Sequence, residues 1–323
     1  MDAASAYAKV VVGRFLAKQA ERVRASAGGP VRRAAFLKTH GCATGTLTVA
    51  PDLRKDLRVG VFDGDRYDVK VRFASDTAPE TSDLENSSVG ISIKLLGVPG
   101  KKLLDGYEDA ATHDFLLMNC DVFPADNVRE FMEITEASVG GTIKEYLGVH
   151  PAAARIIGEM MVREDSVLWA DYNSVTPYRF GADSGRYVKY LLRARRRTGG
   201  PAIPAGRRGP NYLAEDLKRR LAKAGTTFDF MIQFSTDPSK MPIDAATVAW
   251  DERASPPIRV ARLSLPKQTV GDRDAFDSLS FNTWHALPDH EPVGSLNQAR
   301  RRAYVLSADV RRRLNGEPLG EPE

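Results

Sequence analysis

The strongest constraint on the fold is a series of strand-like stretches between residues 44 and 118. The stretches "GTLTVAP", "RYDVKVRFAS", "SVGISIKLLG" and "HDFLLMN" alternate or run apolar over the length of a strand, and Gly, Pro or Asp separates them. Four later stretches have the same character: "DSVLWADYNSVTPYRFG", "RYVKYLLRARR", "FDFMIQFSTD" and "ATVAWDERASPPIRVARLSLP". The sequence contains no strand–helix–strand repetition. The pattern therefore predicts an α+β fold around an antiparallel sheet or barrel.

Two internal stretches have the pattern of helices. The first is "PADNVREFMEITEASVGGTIKEYLG", in which Asp126 or Asn127 can serve as the N-cap. The second is "NYLAEDLKRRLAKAG", which we expect to end at Gly225. A Gly-, Pro- and Arg-rich stretch at 196–211 predicts a loop. The sequence thus predicts helices that surround the sheet without alternating regularly with its strands.

The first 29 residues predict an amphipathic helix that is separate from the rest of the chain. Its apolar side chains recur at helical spacing: Tyr7, Val11, Phe15 and Leu16. This helix either docks on the protein or lies on a membrane surface, because basic side chains flank its apolar stripe. We expect residues 30–323 to form a single domain.

The composition excludes several classes of protein. Hydrophobic residues make up 42% of the chain and charged residues 27%, as in soluble globular proteins, and no apolar run approaches the roughly 20 residues of a membrane span. A net charge of +4 is too weakly basic to indicate a nucleic-acid partner. Cys42 and Cys120 form no CxxC pair and are expected to be buried. We predict a cytoplasmic protein without a membrane span, for which a homo-oligomer is compatible with the sequence.

The C-terminal helix carries the most informative pair of side chains. Ser295 and Gln298 have the spacing of a capping box, and Gly316 is expected to close the helix. The apolar stripe consists of Leu296, Ala299, Ala303, Leu306, Val310 and Leu314. Arg300 lies four residues before Tyr304, so that both side chains share one face. A guanidinium beside a phenol favours the phenolate, which can bind ferric iron, whereas the ordinary interpretation is an aromatic ring packed on an arginine.

Several stretches, in the correct order over about residues 30 to 315, resemble the catalase superfamily. They are similar in particular to its small bacterial members: "RRAAFLKTHGCATGTLTV", "VRFAS", "DFLLMNCDVFP", "DFMIQFSTDPSKMPIDAATVAWDE" and "SFNTWHALPDHEPVGSLNQARRRAY". The resemblance implies an antiparallel β-barrel with surrounding helices and one buried haem b. It implies that Tyr304 is the iron ligand, that Arg300 holds it as phenolate, and that Arg33 and Arg72 pair with the haem propionates. Surface salt bridges are the alternative role of these two arginines.

On the distal side the resemblance is incomplete. Asn119 matches the amide that orients peroxide, although a buried asparagine that satisfies the backbone is an equal alternative. Phe131 matches an aromatic residue over the haem, but its spacing in the sequence differs by one residue. Phe36 stands where catalases have the distal histidine, and Ala74 where they have its supporting serine. His40 could take over as the base only after a local rearrangement, because residues 36 and 40 of an extended chain share a face but stand roughly 13 Å apart.

The sequence is compatible with three functions. The first is a haem oxidoreductase that acts on hydrogen peroxide, an organic hydroperoxide or another small molecule, with weak catalase activity because phenylalanine cannot transfer a proton. Peroxidase-type oxidation, oxygen insertion and the hydroperoxide rearrangement of the related allene oxide synthases are its candidate reactions. The second is a haem-binding sensor or store without turnover. The third is a non-haem protein whose basic loop contacts an acidic surface. The remaining histidines are weaker candidates for catalysis: His113, His150, His285 and His290.

Overall fold

The computed structural model describes residue 17 and residues 31–318, except 34, 196–198, 272–275 and 277. The predicted amphipathic helix over residues 1–29 lies outside the described residues, apart from residue 17. Within the described part, no helix is long and apolar enough to cross a membrane.

Eight antiparallel strands close into a barrel, and a ninth short strand attaches to it. In chain order the strands are β1 (Lys38–Val49), β2 (Arg66–Ser75), β3 (Val89–Leu96), β4 (Thr112–Met118), β5 (Tyr172–Asn173), β6 (Tyr178–Arg179), β7 (Tyr187–Ala194), β8 (Thr226–Phe234) and β9 (Ile258–Leu265). The order in the sheet is β5-β4-β3-β2-β1-β9-β8-β7-β6, and β5 pairs with β7 as well as with β4. This second pairing closes the barrel and confirms the predicted α+β architecture.

The interior of the barrel is the main hydrophobic core. On β2 the odd-numbered residues Val69, Val71 and Phe73 belong to the core. Successive side chains on a strand point to opposite faces, so Arg72 and Ala74 lie on the outer face of the same strand. The outer face of β2 to β4 is therefore the surface against which other elements pack.

Five helices lie in the described chain: α1 (Val128–Gly140), α2 (Ile143–Val149), α3 (Pro151–Met160), α4 (Tyr212–Lys223) and α5 (Ser295–Asn315). The prediction of one helix over 124–148 was only partly correct, because Gly141 adopts φ 78° and ends α1. Asn127 is the N-cap, and its side chain accepts hydrogen bonds from the N–H groups of Arg129 and Glu130 at 3.1 Å. The two cysteines are buried, as predicted.

Two predicted helix ends were wrong. The α4 helix ends at Lys223 with Ala224 as an extended C-cap, and Gly225 instead packs so closely that a Cβ would meet the Leu265 carbonyl oxygen at 2.7 Å. The capping box of α5 is not formed, since Gly294 is the N-cap and the Ser295 N–H donates to Asp244 Oδ1 at 2.7 Å. A distant carboxylate thus replaces the local cap.

Other boundaries follow the predictions in part. Gly316 closes α5 at φ 68°, as expected. Leu314, by contrast, is 47% exposed and leaves the predicted apolar stripe. The stretch 246–266 forms a strand only over Ile258–Leu265, because turns centred on Asp251 precede it. The described part of the 196–211 stretch contains no strand or α-helix.

A buried histidine inside the barrel makes the fold sensitive to acid. His290 is fully buried, accepts a hydrogen bond from the Val61 N–H at its Nε2 atom (3.1 Å), and contacts the Tyr190 hydroxyl through Nδ1 (2.8 Å). Burial lowers the pKa of His290 from 6.5 to about 4. The neighbouring His113 is also buried, and burial together with His290 lowers its pKa well below 6.5.

We expect the free energy of unfolding to fall as the pH is lowered from 7.5 to 5. The unfolded chain binds a proton on His290 near pH 6.5, whereas the folded chain does so only near pH 4. This one histidine then costs on the order of 2 kcal/mol at pH 5. Urea unfolding at a series of pH values measures the slope. His290→Asn should make it less steep, with His113 still contributing, and His150→Asn, at an exposed position, should leave it unchanged. Equal slopes in all three proteins would contradict the prediction.

Candidate functional site

The Arg300–Tyr304 pair on α5 has the predicted geometry. The Arg300 Nε–H donates to Tyr304 Oη at 3.1 Å, and the guanidinium carbon lies 5.3 Å from the centroid of the tyrosine ring. Burial opposes the charge of Arg300, but Tyr304 and Tyr178 outweigh it and hold the Arg300 pKa above its usual value. The guanidinium is therefore a permanent positive charge at the phenol oxygen.

Two further side chains fix this arginine, and the sequence analysis missed both. Arg300 Nη1 donates to Asn297 Oδ1 at 3.1 Å and to Thr176 Oγ1 at 3.3 Å. Asn297 is fully buried, and its amide donates to the carbonyl oxygens of Pro177 and Val293. Asn297 could have been suspected because it lies one helical turn before Arg300. Thr176 is distant in sequence and gave no such signal.

Three arginines donate to the backbone carbonyl oxygens of Phe276, Ser278 and Leu279. Arg33 donates to the carbonyl oxygens of Phe276 (3.0 Å) and Leu279 (2.5 Å). Arg311 donates to the same Leu279 oxygen at 3.2 Å, and Arg312 donates to the Ser278 oxygen at 3.0 Å. Arg311 and Arg312 are almost completely buried although the sequence shows only a basic run. The structure thus brings Arg33 together with α5 and adds two arginines that the sequence analysis missed.

Arg72 lies elsewhere, on the outer face of β2. Its Nη2 donates to the Phe36 carbonyl oxygen at 2.6 Å and to Thr39 Oγ1 at 2.8 Å. These contacts connect Arg72 with the residue at the distal position. Its predicted pairing with a propionate stays a prediction.

Phe36 lies over the outer face of the sheet. Its backbone adopts φ 50°, a left-handed conformation that is uncommon for a side chain of this size. The conformation is held from both sides, since the Phe36 N–H donates to Asp76 Oδ1 (2.9 Å) and its carbonyl accepts from Arg72. A Cβ on Gly90 would meet the Phe36 ring at 2.6 Å, and Gly90 pairs with Ala74. The two departures from the catalase pattern therefore lie side by side.

His40 occupies a different place from Phe36. The register of β1 against β2 shifts between Thr39 and Gly41, so His40 is the extra residue of a bulge. His40 Nε2 lies 2.7 Å from Ser75 Oγ, and Nδ1 lies 4.0 Å from Asp83 Oδ2. Ser75 follows Ala74 on β2 and so points to the opposite face. The expectation that residues 36 and 40 share a face was wrong, because the chain between them is not regularly extended.

Asn119 uses its amide for two contacts at the end of β4. Its Oδ1 accepts the Val89 N–H and its Nδ2 donates to Glu164 Oε1, both at 3.1 Å. Burial raises the pKa of Glu164, whereas the hydrogen bond from Asn119 acts in the opposite direction. The sequence gave no reason to connect Glu164 with Asn119, because 45 residues separate them.

The other predicted residues lie outside these contacts. Phe131 packs edge-on against Phe123 at 4.9 Å in the cluster of α1 to α3. His150 is exposed and stacks on Tyr146, whereas His285 is buried with Nδ1 at 3.2 Å from Asp114 Oδ2. The predicted role of Phe131 over a haem stays a prediction.

Comparisons with known proteins show the fold. Neither protein-family models nor curated protein sequences match the chain. Among solved structures it is similar to a fungal catalase (TM-score 0.69, 18% identity, 90% of this chain and 61% of that one). A bacterial catalase gives a TM-score of 0.71 and 16% identity, and the match covers 94% of this chain and 63% of that one. Catalase A from Saccharomyces cerevisiae gives a TM-score of 0.70 and 15% identity, and the match covers 90% of this chain and 63% of that one. The chain thus spans less than two thirds of these catalases and has their fold.

Proposed function

We propose that this chain binds haem b through Tyr304 and acts as an oxidoreductase on peroxides. The observation that carries the proposal is the 3.1 Å contact between Arg300 and Tyr304. The sequence resemblance had assigned this pair to the iron-binding helix, and the solved structures with the same fold are catalases. Hydrogen peroxide and organic hydroperoxides are therefore the proposed substrate class.

The Tyr304 oxygen needs help to bind iron as a phenolate. Forming a phenolate at pH 7 from a group with the ordinary tyrosine pKa costs roughly 4 kcal/mol. The Arg300 guanidinium offsets part of this cost, and ferric iron offsets the remainder. Because Asn297 and Thr176 orient Arg300, the positive charge is already directed at the Tyr304 oxygen before any ligand arrives.

An arginine next to the tyrosine helix supports the proposal. Arg33 shares the Leu279 carbonyl oxygen with Arg311 of the tyrosine helix and is the guanidinium we assign to a haem propionate. Arg311 and Arg312 are buried against backbone carbonyl oxygens and hold the segment that Arg33 contacts. Val31, which precedes β1, is held against α5. It packs in the cluster that includes Tyr304, and its N–H donates to Asn315 Oδ1 at 2.7 Å. Haem iron, when bound, supplies the redox chemistry that cleaves the O–O bond.

The distal residues favour an organic hydroperoxide over hydrogen peroxide. Phe36 and Ala74 present hydrocarbon where catalases present a histidine and a serine, so rapid proton shuttling on hydrogen peroxide is not expected there. Arg72 and Asp76 fix the Phe36 peptide, and the ring excludes water from the sheet face at Gly90. An apolar substrate suits this surface. Peroxidase-type oxidation, oxygen insertion and rearrangement of the hydroperoxide are the reaction classes we propose.

The presence of Phe36 and Ala74 on the distal side also supports a second candidate function. A haem-binding sensor or store needs the Tyr304 ligand and the arginines but no base, and the Phe36 ring is compatible with that role. The two candidates differ in turnover, because only the first predicts consumption of an organic hydroperoxide such as cumene hydroperoxide by the haem-loaded protein.

Tyr304→Phe should remove the iron ligand and either empty the site or change the haem spectrum. The phenyl ring keeps its packing and loses only the hydroxyl that contacts Arg300. The ultraviolet–visible spectrum and the haem content after purification measure the effect. Tyr146→Phe is the matched control, since Tyr146 stacks on His150 away from α5. A Soret band in Tyr304→Phe identical to that of the unaltered protein would contradict the assignment.

The double variant Phe36→His with Ala74→Ser should raise catalase activity at least tenfold. Histidine tolerates the left-handed backbone at residue 36, and the added serine can support the new imidazole as an acid–base group. Oxygen release from hydrogen peroxide per bound haem is the measurement. Phe36→Leu with Ala74→Ser, which supplies no base, should show no rise. A double variant that retains haem without gaining activity would show that the distal losses do not limit the reaction.

A further inference from the structure

The segment between β5 and β6 contains a strained backbone turn. Val175 adopts φ 64°, a left-handed conformation that is rarer for a β-branched side chain than for Phe36. The Thr176 N–H donates to the carbonyl oxygen of Ser174, two residues before it, at 2.7 Å. This bond closes a γ-turn of the rare, strained kind around Val175. Strain of this kind is kept only where the surroundings hold it, so it directs attention to the side chains that the turn orients.

Buried hydrogen bonds hold the turn in place. The Ser174 N–H donates to the Tyr190 carbonyl oxygen at 2.8 Å, and the Ser174 hydroxyl donates to the Thr176 carbonyl oxygen at 2.9 Å. All three residues of the turn are buried. The turn therefore fixes the Thr176 hydroxyl, which donates to Asn297 Oδ1 at 3.1 Å and accepts a hydrogen bond from Arg300 Nη1 at 3.3 Å.

The groups that surround the Arg300 guanidinium at this point are neutral. Asn297 offers an amide oxygen to Nη1 at 3.1 Å, and Thr176 offers its hydroxyl oxygen. Tyr178 also faces the guanidinium. Burial raises the Tyr178 pKa and Arg300 only partly opposes the rise, so this phenol stays neutral. We call Thr176, Tyr178 and Asn297 the neutral shell of Arg300.

The next arginine of α5 has a different kind of partner. Arg301 pairs with Asp105 Oδ1 at 2.7 Å, whereas no carboxylate pairs with Arg300 in the part of the chain that the structure describes. A carboxylate beside a guanidinium cancels most of its electric field at a third group, whereas neutral oxygens orient the guanidinium and leave its charge in place. The positive charge of Arg300 therefore acts on Tyr304 Oη, 3.1 Å from Nε.

We propose that the neutral shell orients Arg300 without cancelling its charge, and thereby raises the reduction potential of iron bound at Tyr304. This inference rests on the proposed haem function and deepens it. The guanidinium draws electron density from the phenolate oxygen, which then stabilises ferric iron less. A positive charge nearby also favours ferrous iron, which carries one positive charge less. The members of the shell are positioning residues, because they act on the iron only through Arg300.

Comparing aspartate with asparagine at position 176 changes the charge and keeps the size. Thr176→Asp places a carboxylate beside Arg300 Nη1, and Thr176→Asn is its neutral control. Spectroelectrochemical titration of the Soret band measures the midpoint potential of the haem-loaded proteins. We expect the potential of Thr176→Asp to lie below that of Thr176→Asn by at least a tenfold change in the ferric-to-ferrous ratio, which is about 59 mV for one electron.

Two further variants make the test independent of position 176 and of folding. Asn297→Asp also adds a charge without changing size, 3.1 Å from Arg300 Nη1, and should lower the potential relative to the unaltered protein. Thr176→Val keeps the side-chain shape and removes the oxygen that faces Arg300, so it should raise the potential. It decides the matter if neither aspartate variant folds or binds haem, and a potential equal to or below that of the unaltered protein would then overturn the proposal.

The outcomes separate this inference from the proposed function. Equal midpoint potentials in haem-loaded Thr176→Asp and Thr176→Asn overturn the role of the neutral shell and leave Tyr304 as the iron ligand. The absence of a Soret band from the unaltered protein after haem is supplied overturns the haem site and, with it, this inference. A lower potential in both aspartate variants, with the Soret band retained, supports both.

Discussion

Closure of the barrel is the constraint on which the rest of the structure depends. The two-residue strand β5 pairs with both β4 and β7, so no edge is left between them. Closure assigns one face of every strand to an apolar interior and the other to an outer surface. On β2 this division sends Phe73 into the core while Arg72 and Ala74 face outward. A site on the outer surface of β2 to β4 can therefore be polar and variable without disturbing the core.

The helix that carries Tyr304 is held by buried polar contacts as well as by its apolar stripe. Asn297 is completely buried at the start of α5, and its hydrogen bonds link the helix to Pro177 and Arg300. Further along, Arg311 and Arg312 are buried against backbone carbonyl oxygens. Each buried polar group must be paired, so these contacts set the rotation of α5 closely. That rotation decides which way the Tyr304 hydroxyl points.

The distal side shows how one backbone irregularity changes the chemistry of a surface. Phe36 adopts a left-handed conformation and His40 occupies a bulge, so four residues of chain turn from the outer face to the inner one. A phenylalanine consequently covers Gly90, and the histidine is buried against Ser75. Arg72 and Asp76, which hold the Phe36 peptide, are polar groups that the described contacts place at this surface.

The sequence by itself determined the elements whose signals are local. Alternation of apolar residues located the strands, with β2 matching "RYDVKVRFAS" in full, and helical spacing placed Arg300 beside Tyr304. Only the tertiary structure decided which face His40 occupies, that Glu164 bonds Asn119, and that Arg33 shares a carbonyl oxygen with Arg311. These contacts join residues far apart in the chain, or depend on a bulge and a left-handed backbone that local spacing does not encode, because side-chain periodicity assumes a regular backbone.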